Sequence, residues 1–275
     1  MPGPENAAES IRLVCLDVDG TLVGHSGQPT NGVWAAASRA RAAGIHLSIC
    51  TARIAIGGAW DWAVRLDPDG WQLFQTGASI VHTGNRSTRS TALPSAAVAS
   101  CMKAATSNGW TLEIYSDFDY TVDGDGPEAV DHAALLGVPF ERRTFSSLRG
   151  KAVRVQFIVG EHDVDAAISA APDGCTASAA TSPLMPGLHF VSITDDTVSK
   201  ASGIRALATL LGLTINQVMM VGDGQNDVSA LRAVGFPVAM GNAHPDAIAV
   251  ARTVVADVEA DGVAEALDLA IATNR

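Results

Sequence analysis

The stretch "VCLDVDGTLVGHS", residues 14 to 26, places Asp17 and Asp19 two positions apart directly after an apolar run. Two carboxylates at that spacing can divide the work of nucleophile and general acid/base. They are also what an ordinary strand-ending turn looks like, since Asp, Gly and Thr are common turn residues. Three further pieces decide between these readings. Thr51 follows a second apolar run, Lys200 opens a helical stretch, and "GDGQND" brings Asp223, Asn226 and Asp227 after a later apolar run. Taken singly, Thr51, Asn226 and Asp227 read as helix caps and Lys200 as a solvated charge. Taken in order, at the ends of successive elements, they read as one site that combines acidic groups, a hydroxyl and an ammonium.

The elements that would position them follow from pattern. "IRLVCL" (11 to 16) has the length and character of a buried parallel strand. "WAAASRARAAG" (34 to 44) reads as a helix with a glycine stop, and "IHLSICTAR" (45 to 53) as a second buried strand. Strand, helix, strand at this spacing is a unit of parallel α/β sheet, whose ligands gather at the carboxyl ends of the strands. The same alternation returns in "SKASGIRALATLLG", "QVMMVGDG", "NDVSALRAVG" and "FPVAMGNA". Between the two α/β stretches, "TLEIYSD", "KAVRVQFIVG", "CTASAAT" and "LHFVSIT" alternate as strands of an antiparallel sheet, with helical stretches near "AAVASCMKAATSNG" and "EHDVDAAISAA". The sequence therefore predicts a core of residues 1–83 and 190–275 interrupted by an α+β insertion over 84–189.

Composition bounds the setting. A length of 275 residues exceeds the usual single core and suggests two domains. With 18 basic against 29 acidic side chains, a net charge of -11 argues against nucleic acid as the partner, and an anionic ligand would need a local positive site. The opening "MPGPENAAES" is polar and acidic where a secretory signal would be basic and then apolar, and no run is long enough to span a bilayer, so the expectation is a cytoplasmic protein without a membrane partner. The four cysteines are scattered without a CxxC pair, which suggests neither a zinc site nor a disulfide framework. "GDGQND" starts like a dinucleotide motif but has Asp227 in place of the third glycine, and "DGDGPE" (123 to 128) fails as a calcium loop at Pro127 and Glu128. Trp60, Trp62 and Trp71 read as core packing or a helix-to-strand corner rather than a binding surface.

"DVDGT" after the first strand, a Thr after the second, a Lys opening a helix and "GDGQND" after a later strand together resemble the haloacid dehalogenase superfamily of phosphoryl-transfer enzymes. The insertion between Thr51 and Lys200 looks like the C2-type cap of the Cof-like phosphatases, and "DGVAEAL" is similar to their C-terminal segment. The resemblance implies a Rossmann-like parallel-sheet core with an inserted α+β cap. It also implies Mg²⁺ held by Asp17, Asp223 and the backbone carbonyl of Asp19, with Asp227 direct or through water.

The residues make chemical sense in those roles. A carboxylate, Asp17, attacks phosphorus; Asp19, on the following turn, protonates the departing alcohol and then activates water. Thr51, Lys200 and backbone amides near Gly20 and Ala52 supply donors to the transferred group, with Asn226 a further phosphate or substrate contact. Arg53 carries no directional signal and stays outside the catalytic set. The expected substrate is a small phosphorylated metabolite, such as a sugar or polyol phosphate or a phosphorylated cofactor. A hexose phosphomutase shares the nucleophile and acid/base, and a non-catalytic phosphometabolite-binding module would be expected to have lost one of Asp17, Asp19, Lys200 or Asp223. Dehalogenation has no use for Asp19 or a metal cluster. The motifs leave the substrate's identity and the oligomeric state open. Substrate selection is expected from the cap: Glu113, Tyr115, Asp117, Arg154 and Gln156 share the polar face of the inserted sheet, opposite Val153, Val155, Phe157 and Val159, and that open face would roof the site, with Tyr115 and Arg154 contacting substrate and His189 a weaker candidate.

Overall fold

The computed structural model describes residues 10–182 and 184–275; the polar, acidic opening 1–9, which bears the expectation about a secretory signal, lies outside them. The first apolar run becomes β1 (Leu13–Leu16), buried on both faces. Val14 and Leu16 point into one apolar layer, Leu13 and Cys15 into the other. Helix α1 (Asn31–Ala42) begins earlier than Trp34 because the Thr30 hydroxyl accepts from the Val33 amide, and its Val33, Ala36, Ala37 and Ala40 stripe is buried. Strand β2 (His46–Ile49) stops short of the expected Arg53, since the chain leaves the sheet after Cys50 to form a loop. Then come α2 (Gly57–Leu66) and a hairpin of β3 (Trp71–Phe74) and β4 (Ser79–His82), none anticipated from the sequence. Trp62 is buried in α2, as the packing reading expected.

The insertion comprises α3 (Ser95–Asn108), β5 (Thr111–Tyr115), β6 (Tyr120–Val122), α4 (Pro127–Leu136), β7 (Arg154–Gly160), α5 (Val164–Ser169), β8 (Cys175–Thr181) and β9 (Leu188–Asp195). Its five strands form an antiparallel sheet in the order β6-β5-β7-β9-β8. One face, with Leu112, Ile114, Val155, Phe157 and Ile193, packs with Cys101 of α3 and Ala167 of α5. The other face is not open as expected: Glu113, Tyr115, Arg154 and Gln156 are all buried, because α4, which the sequence reading missed, lies over it through His132. The expected edge at residue 189 falls inside β9. We propose a return to the core just after Asp195, where the cap strand ends.

The chain continues through α6 (Lys200–Leu210), β10 (Val218–Gly222), the single-turn α7 (Val228–Leu231), β11 (Phe236–Ala239), α8 (Pro245–Ile248), β12 (Thr253–Val254) and α9 (Gly262–Thr273). The core sheet is parallel, in the order β12-β11-β10-β1-β2. Helices α1 and α9 cover one face and α6 and α7 the other, giving three layers. In the central register Leu16 faces both Ile49 and Val221. Asp17, Thr51 and Asp223 therefore emerge within one residue of the same level, at the carboxyl edge of adjacent strands. No helix among the described residues is long and apolar enough to cross a membrane, and Cys15, Cys50, Cys101 and Cys175 are free thiols.

Candidate active site

Lys200 is the hub of the site. Its ammonium lies 2.6 Å from Asp17 Oδ1 and 2.6 Å from Asp227 Oδ1, and its side chain is only 1% exposed. Helix α6 can bring it there because two glycines meet backbone to backbone: a Cβ on Gly203 would sit 2.8 Å from Gly77 Cα. The start of α6 is fixed by a capping box in which Ser199 and Ser202 satisfy each other's amides. Asp227 completes the brace, its Oδ2 accepting from the amides of Asp223 (3.1 Å) and Gly224 (3.0 Å).

Asp223 is set by Thr21, whose hydroxyl donates to its Oδ1 at 2.7 Å. Thr21 is a positioning residue that the "DGT" motif displayed and the sequence reading did not use. Gly20, at φ +83°, is required here: a Cβ would lie 2.3 Å from Asp223 Oδ2. Asn242 pins the same turn, donating to the Gly20 carbonyl at 2.8 Å. The Gly20 amide itself donates to the Val23 carbonyl at 3.0 Å, so it is not one of the free donors expected of this loop.

Asp17, Asp223 and Asp227 offer carboxylate oxygens within 4.8 Å of one another. Burial pushes the Asp17 carboxyl up to about 7, against the opposing pull of the Lys200 ammonium, and burial raises Asp223 as well although Thr21 donates to it. Lys200, despite its burial, is held protonated by the carboxylates of Asp17 and Asp227. Three carboxylates against one ammonium leave an excess of negative charge, and an all-oxygen donor set of that kind fits a hard divalent cation such as Mg²⁺.

Thr51, 1% exposed, accepts from the Arg53 amide (3.2 Å) and keeps its hydroxyl proton available for a ligand. Arg53 itself is the residue that sequence reasoning left aside. Its guanidinium forks the Asp19 carboxylate, Nη2 to Oδ1 at 2.6 Å and Nε to Oδ2 at 3.1 Å, and stands 5.4 Å from the Trp62 ring centroid. No pattern in "TARIAIGG" signals that direction; it depends on the tryptophan of a helix packed later in the chain.

A cleft of about 440 Å³ lies between core and cap. Asp19, Arg53, Ala52 and Asn226 line its core side, and Arg154, Gln156, His132 and Ser192 stand on the cap side. Arg154 crosses the gap, Nη1 donating to the Ala52 carbonyl at 3.2 Å. Two of the cap candidates are elsewhere. Tyr115 is fully buried and not part of the cleft lining; its hydroxyl donates to Glu113 and its ring lies under the Arg154 guanidinium. His189 sits in β9 opposite Val159 and Thr181, away from the lining. Glu113 is wholly enclosed, with His132, Tyr115 and Gln156 on its oxygens.

Residues 14–267 match the haloacid dehalogenase-like hydrolases, and the chain belongs to that family. A protein of Streptococcus pyogenes serotype M6, carried under a provisional phosphatase name, is 28% identical over 94% of this chain and 97% of its own. A crystal structure of a haloacid dehalogenase-like hydrolase from Bacteroides thetaiotaomicron superposes with a TM-score of 0.83 at 21% identity, covering 94% of this chain and 99% of that one. A sugar phosphatase of subclass IIB of the superfamily superposes at 0.75 with 22% identity over 94% and 98%. The parallel core with a separate antiparallel cap is thus the fold that the resemblance implied.

Proposed function

We propose that the protein is a Mg²⁺-dependent phosphatase acting on a small phosphorylated metabolite through an aspartyl-phosphate on Asp17. The observation that carries this reading is the Lys200 brace: it holds Asp17 Oδ1 at 2.6 Å and fixes the carboxylate's orientation, leaving Oδ2 to attack phosphorus. Asp17, Asp223 and Asp227 would hold Mg²⁺, which when bound supplies positive charge against the phosphoryl oxygens. As the Oδ2–P bond forms, the ester O–P bond breaks and Asp19 gives a proton to the departing alkoxide. In the second half, Asp19 takes a proton from water, whose oxygen bonds to phosphorus as the Asp17–P bond breaks. The Thr51 hydroxyl and the Lys200 ammonium meet the negative oxygens of the group in transfer. Arg53 forks the Asp19 carboxylate in the cleft lining and so positions it. The name of the subclass IIB structure favours sugar phosphates for a first panel of substrates.

The test is phosphate release across a panel of esters with and without Mg²⁺. Excess chelator is expected to abolish turnover and Mg²⁺ to restore it, with Ca²⁺ a poor substitute because its longer, looser coordination misplaces the nucleophile. Undiminished turnover in chelator, or no ester hydrolysed under any condition, would overturn the reading.

A further inference from the structure

Arg154 is the one buried arginine among the described residues, 7% exposed, and it lines the cleft over the candidate active site. Its guanidinium is flattened against the Tyr115 ring, 4.0 Å from the centroid, which fixes its plane. The hydrogen bond seen for it goes from Nη1 to the Ala52 carbonyl, and Nε is buried with no partner among the described residues. A buried guanidinium with unmatched donors is costly, and proteins normally meet one with a carboxylate. The surroundings show that contrast. Arg143 forks Asp119, Arg39 forks Asp268 and Arg53 forks Asp19. The acid in the same polar layer as Arg154 is Glu113, but its oxygens are taken by His132, Tyr115 and Gln156. Burial even works against the charge on Arg154, lowering its affinity for the proton, while Tyr115 and Glu113 only partly offset this.

The rest of the cleft wall is poor in countercharge. Asp19 is already forked by Arg53, His132 and Gln156 are bonded to Glu113, Asn226 carries no charge, and Leu135 and Phe190 are apolar. In a chain of net charge -11, this cleft thus holds a buried guanidinium that no side-chain carboxylate meets among the described residues, a local positive site of the kind an anionic ligand needs. The Ala52 carbonyl on which Arg154 rests follows directly on Thr51, so the guanidinium overlooks the loop assigned to the phosphoryl group. We propose that the alcohol released by this enzyme carries a second anionic group, a carboxylate or a further phosphate, which seats on Arg154 in the roof of the cleft. The proposal rests on the phosphatase reading above for the placement of the first phosphoryl group. Guanidinium to carboxylate or phosphate is the charge-assisted, two-pronged match this side chain is built for, and a neutral hydroxyl would leave the charge unanswered.

The experiment compares kcat/KM for a phosphorylated hydroxy acid, a sugar bisphosphate and a neutral polyol phosphate, with nitrophenyl phosphate as the generic ester. Native enzyme should favour at least one anionic ester over the neutral one by roughly tenfold or more, and Arg154→Met should collapse that ratio towards one while Arg154→Lys retains part of it. Which anionic ester leads tells carboxylate from phosphate. A neutral ester equal to or better than both, or an unchanged ratio in Arg154→Met, overturns the proposal; if Arg154→Met fails to fold, the native ratio and the Arg154→Lys ratio decide. Calorimetric binding of phosphonoacetate against methylphosphonate separates this inference from the phosphatase reading. If no ester turns over, that reading falls, while tighter binding of phosphonoacetate that is weakened in Arg154→Lys and lost in Arg154→Met upholds the anion seat and equal binding of the two removes it.

Discussion

The carboxylate floor of the core, at the strand ends, and the roof of the cleft both hold buried polar groups, yet they use them in opposite ways. On the floor, Asp17, Asp223 and Asp227 crowd their oxygens together, and one cation, Lys200, is shared between two of them. Their charges stay unbalanced and directed at one point. In the roof, Glu113, Tyr115, Gln156 and His132 bond sideways to each other, and Arg154 Nε is left without a partner among the described residues. The contrast teaches a division of labour. A site for group transfer concentrates charge that a cation can balance, whereas a platform for selection satisfies itself and leaves a single reading group.

That comparison is broken most severely by removing the shared cation. Lys200→Met leaves two buried carboxylates without their partner and should cost about 3–5 kcal/mol of stability in denaturant titration, together with nearly all turnover. Loss of activity with stability intact would mean that the ammonium serves the transferred group alone and braces nothing. A smaller and more selective effect is expected at the border of floor and roof. Asp19→Asn should slow hydrolysis of alkyl esters by roughly 10²–10⁴, and of nitrophenyl phosphate far less, because a good leaving group needs little protonation. An equal loss on both would remove Asp19 from the role of acid.

The smallest effect concerns the roof's own anchorage. Asp119, near the turn before β6, accepts from the Arg143 guanidinium at 2.6 and 3.0 Å and from the Arg149 amide at 2.8 Å. Burial alone would raise its carboxyl, but these hydrogen bonds prevail and hold it down at about 2, below the ordinary 3.8. A depressed folded value means stability that is present above pH 4 and lost as pH falls towards 2. Asp119→Asn should therefore cost about 1–3 kcal/mol at neutral pH, and its difference from the native protein should shrink on acidification through that window. A difference that stays constant down to pH 2 would show that packing, not charge, is what Asp119 contributes.

Much of the floor was legible because it depends on features that sequence displays directly. Continuous apolar runs mark buried parallel strands, and parallel registry then brings residues just past Leu16, Ile49 and Gly222 to one edge. Lys200 was readable as a helix start, and the Ser199 and Ser202 capping box sets it there. The roof was only half legible. Alternation correctly put Glu113, Tyr115, Arg154 and Gln156 on one face, but alternation does not reveal what covers a face. That depends on α4, whose Pro127 and Gly137 bounds enclose a short helix without a strong apolar stripe, and so Tyr115 was expected in the cleft and is found beneath Arg154. Arg53 was missed for the same kind of reason, since its partners Asp19 and Trp62 are neighbours only in the folded chain.

Whether the floor performs covalent chemistry can be asked directly by acid-quenching the enzyme during Mg²⁺-supported turnover of nitrophenyl phosphate and locating any added phosphoryl group by peptide mass spectrometry. The Asp17 assignment predicts a phosphoryl group on Asp17 itself, present in a larger fraction in Asp19→Asn, where water is activated less well, and absent from a folded Asp17→Asn protein, which should show no turnover. A phosphoryl group on any other residue, or turnover by folded Asp17→Asn, would contradict it.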